Sequence, residues 1–148
     1  MKTRNLGWWL RAAARTALGV ALTLAGWSHL TTARAEFQAQ VPPWVPLDAD
    51  FVVLASGVVE IALGLSMIVL VRLQQWVGLA TALFFIAIFP GNISQYVNGI
   101  DAFGLDTDNA RFIRLFFQPV LVLWALWSTT AWALWSRRTQ ARSRGAQG

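Results

Sequence analysis

Apolar residues gather along the chain into four long stretches separated by short polar breaks. The first runs from about Trp8 to Leu30 and the second from Phe51 to Val71. The third covers Leu73 to Asn92, and the fourth runs from about Phe112 to Trp135. Each is close to the ~20 residues that a helix needs to cross about 30 Å of hydrocarbon. Lipid offers the backbone no hydrogen-bond partners, so such stretches are predicted to be helical. Only Arg72 and the pair Gln74 and Gln75 divide the second from the third, which predicts a tight helical hairpin. The pattern predicts an all-α fold: an integral membrane four-helix bundle over residues 1–135, followed by a basic tail, 136–148.

The connections carry their own signals. Residues 31–50 begin as an amphipathic run and end in Val-Pro-Pro-Trp-Val-Pro, where Pro42, Pro43 and Pro46 prevent a continuous helix. Trp44 suits the headgroup layer. Residues 93–110, with Gly99, Gly104 and three Asp, are expected to form an external loop. Pro119 cannot donate to the carbonyl of Leu115, so a kink is expected there.

Composition agrees with a membrane protein. The 148 residues are 56% hydrophobic and 13% charged, with a mean hydropathy of +0.49; soluble domains carry roughly 25% charged residues. Nine Trp and nine Phe exclude disorder as a class. The lack of Cys excludes disulfides, thiolate zinc sites and iron–sulfur clusters on this chain alone.

The net charge of +5 is distributed unevenly. Lys2, Arg4, Arg11, Arg15, Arg72, Arg137, Arg138, Arg142 and Arg144 fall on one predicted side, with no acid among them. The other side holds Arg34, Arg111 and Arg114 with Glu36, Asp48, Asp50, Asp101, Asp106 and Asp108. This is the positive-inside pattern with both termini cytoplasmic, expected of a bacterial cytoplasmic membrane protein. The basic surplus is thus a topology signal, and nucleic acid is excluded as a partner because the aromatics lie within the spans. Ala33-Arg34-Ala35 has the form of a signal-peptidase site. The bulky, polar stretch before it, and Arg11 and Arg15, favour a retained first helix.

Glu60, near the middle of the second span, is the residue most in need of an explanation. A charged carboxylate facing lipid there costs at least a few kcal/mol, so Glu60 is expected to face the interior. Ser56, Gly57 and Gly64 share its helical face, and small residues permit close helix contact. Similar stripes place Ala25, Gly26 and His29 together on the first helix, and Gly78, Ala82, Phe85, Phe89 and Asn92 on the third. On the fourth, Arg111, Arg114, Gln118, Ala125 and Thr129 share a face. Packing these stripes inward gathers His29, Glu60, Asn92, Arg114 and Gln118 as candidates for ligand binding or proton handling. By ideal helical rise Gln118 lies ~8 Å and Arg114 ~14 Å from the fourth span's midpoint. Gln118 is therefore expected to reach Glu60, and Arg114 to reach it only through a register shift or water. The competing reading of Glu60 is a structural acid that locks helix packing.

Other chemistry is sparse. His29 is the single histidine, which excludes a two-histidine haem site within the chain. A hydrogen-bonded histidine at a helix end is the favoured state, and no metal site is expected. Asp106-Thr-Asp-Asn109 lacks the glycine and terminal glutamate of an EF-hand. Trp124 and Trp127 are expected to fill the core, Trp132 and Trp135 to belong to the interfacial belt.

In order, Gly26-Trp-Ser-His29, Val-Pro-Pro-Trp-Val-Pro, Ser56-Gly-Val-Val-Glu60, Phe89-Pro-Gly-Asn92 and Arg114-Leu-Phe-Phe-Gln118 followed by Trp124 resemble the DoxX-like family of small four-helix membrane proteins. The likeness spans about residues 11–130. It implies a four-helix bundle with a polar interior, related by name to subunits of thiosulfate:quinone oxidoreductase. The sequence departs from the family in Leu30 after the histidine, Asn92 after Gly91 and a displaced Pro119. Three functions follow as expectations. The first is an accessory subunit or binding module whose pocket takes a lipophilic, quinone-like ligand. The second is a component of a redox-linked membrane enzyme, working with a redox partner protein. The third is a structural or assembly factor in the bilayer.

Overall fold

A computed structural model describes residues 5–137, and all its regular elements are helical. Helix α1 spans Leu6–Leu30, α2 Arg34–Gln40, α3 Ala49–Val69, α4 Gln74–Val97, α5 Asp108–Leu115 and α6 Phe117–Ser128. Most of the basic tail, residues 138–148, lies outside the described residues, as do Lys2 and Arg4.

Local chemistry sets the helix starts. Asn5 Oδ1 accepts the Trp8 N–H at 3.0 Å, Asp48 Oδ1 that of Phe51 at 3.1 Å, and Thr107 Oγ1 that of Ala110 at 3.2 Å. Each satisfies an orphan donor of a first turn. At the end of α4, Gly99 adopts φ +60° and the Ile100 N–H returns to the Gln95 carbonyl, a Schellman-type stop. The hairpin around Arg72 is one 3₁₀ turn, Val71–Leu73.

Three segments are long and apolar enough to cross a membrane: Ala49–Val69, Val71–Val97 and Asp108–Ser128. Helix α1 matches them in length, but carries Arg11, Arg15 and His29. Large apolar side chains such as Leu24, Val58, Leu83, Val120 and Leu123 point away from the interior.

The long helices alternate in direction. Helix α1 lies antiparallel to α3, with Gly19 against Gly64 and Gly26 against Gly57. A Cβ on Gly26 would stand 2.5 Å from the Gly57 carbonyl oxygen, so nothing larger than hydrogen fits. Helix α4 packs on α6, where Gly78 faces Thr129. The core between them holds Leu18, Leu22, Met67, Val77, Ala82, Phe85 and Ala125. Trp124 packs against it and donates from Nε1 to the Ala14 carbonyl at 2.9 Å, which joins α6 to α1. Trp127 is 40% exposed and is no core filler.

Several expected boundaries move. Helix α4 continues through Pro90 to Val97, so residues 93–97 are helical and the loop is confined to 98–107. The fourth stretch is not one helix. It breaks at Phe116, three residues before Pro119, where the missing N–H interrupts the ladder. It ends again after Ser128, where Thr130 takes φ +55° and the Ala131 N–H bonds the Leu126 carbonyl. Trp132 therefore lies in a turn and Trp135 beyond it, and both are exposed.

Candidate functional site

The C-terminal halves of α1 and α4, the N-terminal half of α3 and the α5–α6 junction enclose a partly open cavity of about 400 Å³. Helix α2 and the Pro42–Val45 turn border it. His29, Glu60, Asn92, Arg114 and Gln118 all line it, among mostly apolar neighbours such as Leu22, Val53, Phe85 and Leu121.

Glu60 and His29 are the deepest polar pair, 4% and 5% exposed. Their Nδ1–Oε2 separation is 2.9 Å. Neither atom makes an aligned hydrogen bond among the described residues, so the pair stands in close approach within the cavity wall. The glycine seam permits the proximity: a Cβ on Gly57 would stand 2.8 Å from His29 Cβ, so His29 passes over Gly57 to reach Glu60, one turn along α3. Phe37 of α2 stands edge-on against the imidazole.

The expected Gln118–Glu60 contact does not form. Gln118 Nε2 donates to the Phe85 carbonyl at 2.7 Å, and its Oε1 accepts from Asn92 Nδ2 at 3.0 Å. Both ends of the Gln118 amide are thus turned to α4 and away from Glu60. Arg114 reaches Asn92 Oδ1 from Nε at 3.5 Å, and its guanidinium lies 5.3 Å from the centre of the Phe103 ring. It makes no ion pair with Glu60. Two groups thus face one cavity: the His29–Glu60 pair on α1 and α3, and the Asn92–Gln118–Arg114 chain on α4 to α6.

A polar collar ties α2 over this end, and of its members only Arg111 was placed on an inward face from sequence. Arg34 makes a two-pronged contact with Asp50, which also accepts from Gln38 at 2.5 Å. Bonding to that carboxylate raises the Arg34 guanidinium above its ordinary value. Gln40 donates to Gln95 Oε1 at 2.5 Å, and Gln95 donates to the carbonyls of Ile100 and Ala102. Glu36 accepts the Phe103 N–H, and the Phe37 and Phe103 rings meet. Arg111 holds the loop through Asp101, Asp108 and the Ile100 carbonyl. The available signal was the run of polar residues at 34, 36, 38 and 40 on a short amphipathic stretch. Among the described residues, no group of three His, Cys, Asp or Glu could hold a metal.

Residues 18–129 match a protein family described as "Domain of unknown function (DUF8561)". The chain belongs to that family. The match takes in every residue that lines the cavity, from Leu18 to Leu121. No curated protein and no solved structure matches the chain.

Proposed function

We propose that the chain is a four-span protein of a bacterial cytoplasmic membrane, with both termini cytoplasmic, that binds a lipophilic molecule with a polar head. On this reading α1 is the fourth span, supported by its length and its seam with α3. The cavity carries the functional reading. Ligand sites are commonly 300–1,000 Å³, largely apolar and furnished with a few convergent polar groups. About 400 Å³ bounded by apolar walls, a buried acid–imidazole pair and an arginine meets that description. A quinone-like head suits it because the Arg114 guanidinium, held by Asn92 and Gln118, offers donors at one wall while Glu60 and His29 offer proton-exchanging groups at another. The role is an accessory subunit or binding module serving a redox partner, in keeping with the DoxX-like resemblance.

The test is titration of the purified protein in detergent with a short-chain quinone, followed by tryptophan fluorescence. Saturable binding in the wild type that weakens about tenfold in Glu60→Gln and Arg114→Ala is expected, the scale of one lost charge-assisted hydrogen bond. Equal binding in all three proteins, or none in any, overturns the reading.

A further inference from the structure

A second buried polar site lies at the opposite end of the bundle, where α1, the start of α4 and the end of α6 meet. Arg15 is 6% exposed there, and Nη1 donates to Gln74 Oε1, a neutral acceptor, at 2.8 Å. The carboxylates paired with arginine among the described residues are Asp50, Asp101 and Asp108, all at the α2 end. The segments outside the described residues contain no Asp or Glu. The chain therefore supplies Arg15 with no acidic side chain as counter-ion.

Two buried atoms beside it are also orphaned. Arg15 Nε and Ser128 Oγ have no hydrogen-bond partner among the described residues, and Ser128 is 2% exposed. Both residues line a partly open cavity of about 30 Å³, with Arg11, Gln74, Thr130 and Trp8 around it. That volume takes one oxygen-sized group. Leaving a guanidinium buried and unpaired is costly, so an external anion that inserts a single oxygen is favoured.

We propose that this is a phosphate-binding site, built on Arg15 and Ser128. One phosphoryl oxygen enters the slot to accept from Arg15 Nε and Ser128 Oγ. The remaining oxygens stay at the mouth beside Arg11, one turn before Arg15 on the same helical face. A tetrahedral anion with several acceptors meets both arginines at once, and basic pockets between membrane helices are suited to phospholipid headgroups. The site is separate from the larger cavity and does not depend on what that cavity holds.

Native mass spectrometry of detergent-extracted protein titrated with phosphatidylglycerol tests the lipid source. Thermal unfolding with added inorganic phosphate tests a soluble one. Binding in either arm that weakens tenfold or more in Arg15→Gln is expected, with a smaller loss in Ser128→Ala and partial retention in Arg15→Lys. Binding of phosphatidylglycerol alone assigns the lipid, and stabilisation by inorganic phosphate assigns the free anion. Should Arg15→Gln fail to fold, Ser128→Ala, which removes only a hydroxyl, carries the comparison. Wild-type and variant proteins that bind alike, or that bind neither probe, overturn the proposal, as does a density map with only a water between Arg15 and Ser128.

Discussion

Gly26→Ala should loosen the α1–α3 seam by a calculable amount. The new methyl would lie 2.5 Å from the Gly57 carbonyl oxygen, 2.8 Å from Ile61 Cγ1 and 2.9 Å from the Ile61 amide nitrogen. The two backbone atoms belong to α3 and cannot swing aside as a side chain could. Raising the 2.5 Å contact to an ordinary 3.4 Å parts the helices by about 0.9 Å at this level. Overpacking of this kind costs about 1–3 kcal/mol, which lowers Tm by roughly 3–10 °C in a chain of this size. The same displacement separates His29 from Glu60, which lie one turn to either side of this contact. Thermal unfolding in detergent, followed by tryptophan fluorescence, measures the first effect. Gly7→Ala is the control, because the nearest atom to its Cβ, Asn5 Oδ1, is 3.7 Å away. If Gly26→Ala melts with wild type and Gly7→Ala, the helices do not meet glycine to glycine and the reasoning fails.

Other expectations follow from named contacts. Gly78→Ala drives a methyl into the Thr129 side chain, so it should be more damaging than Gly26→Ala, and adding Thr129→Gly should restore part of the loss in the same melt. Gln95→Leu removes the bonds to Gln40, Ile100 and Ala102, and should cost about 2–3 kcal/mol while raising hydrogen exchange in 98–107. Arg111→Ala should unfasten the same loop at a smaller cost, about 1–2 kcal/mol, because Asp101 and Asp108 are exposed and return to water; limited proteolysis reads it. The chain lacks cysteine, so single cysteines placed at Gln75 and Asn98 should label from opposite sides of the membrane in intact cells.

Apolar run length located α1, α3 and α4 in the sequence, since a helix that must close its own hydrogen bonds leaves few alternatives. The inward face of each was equally legible, because small and polar residues recur there at helical spacing. Glu60, Gly57 and Gly64 on α3 are all buried, as are Arg111, Gln118, Ala125 and Thr129 on the fourth stretch. Partner choice was not legible. Gln118 was expected to reach Glu60 and His29 does so instead, because the outcome depends on the register of α1 against α3, fixed by glycine contacts between distant segments. The break at Thr130 also left no trace, since a β-branched residue rarely adopts positive φ and no glycine marks the position. Arg15 was legible only as a topology charge, because its burial depends on how α4 and α6 end beside it.

The paired glycines act as a molecular ruler. Gly19 to Gly26 and Gly57 to Gly64 are both seven-residue intervals, engaged tooth to tooth in opposite directions. A one-residue insertion inside either interval would turn everything beyond it by about 100° and shift it 1.5 Å. Family members that keep an acid and an imidazole face to face should therefore vary in length outside these intervals and hold both fixed together.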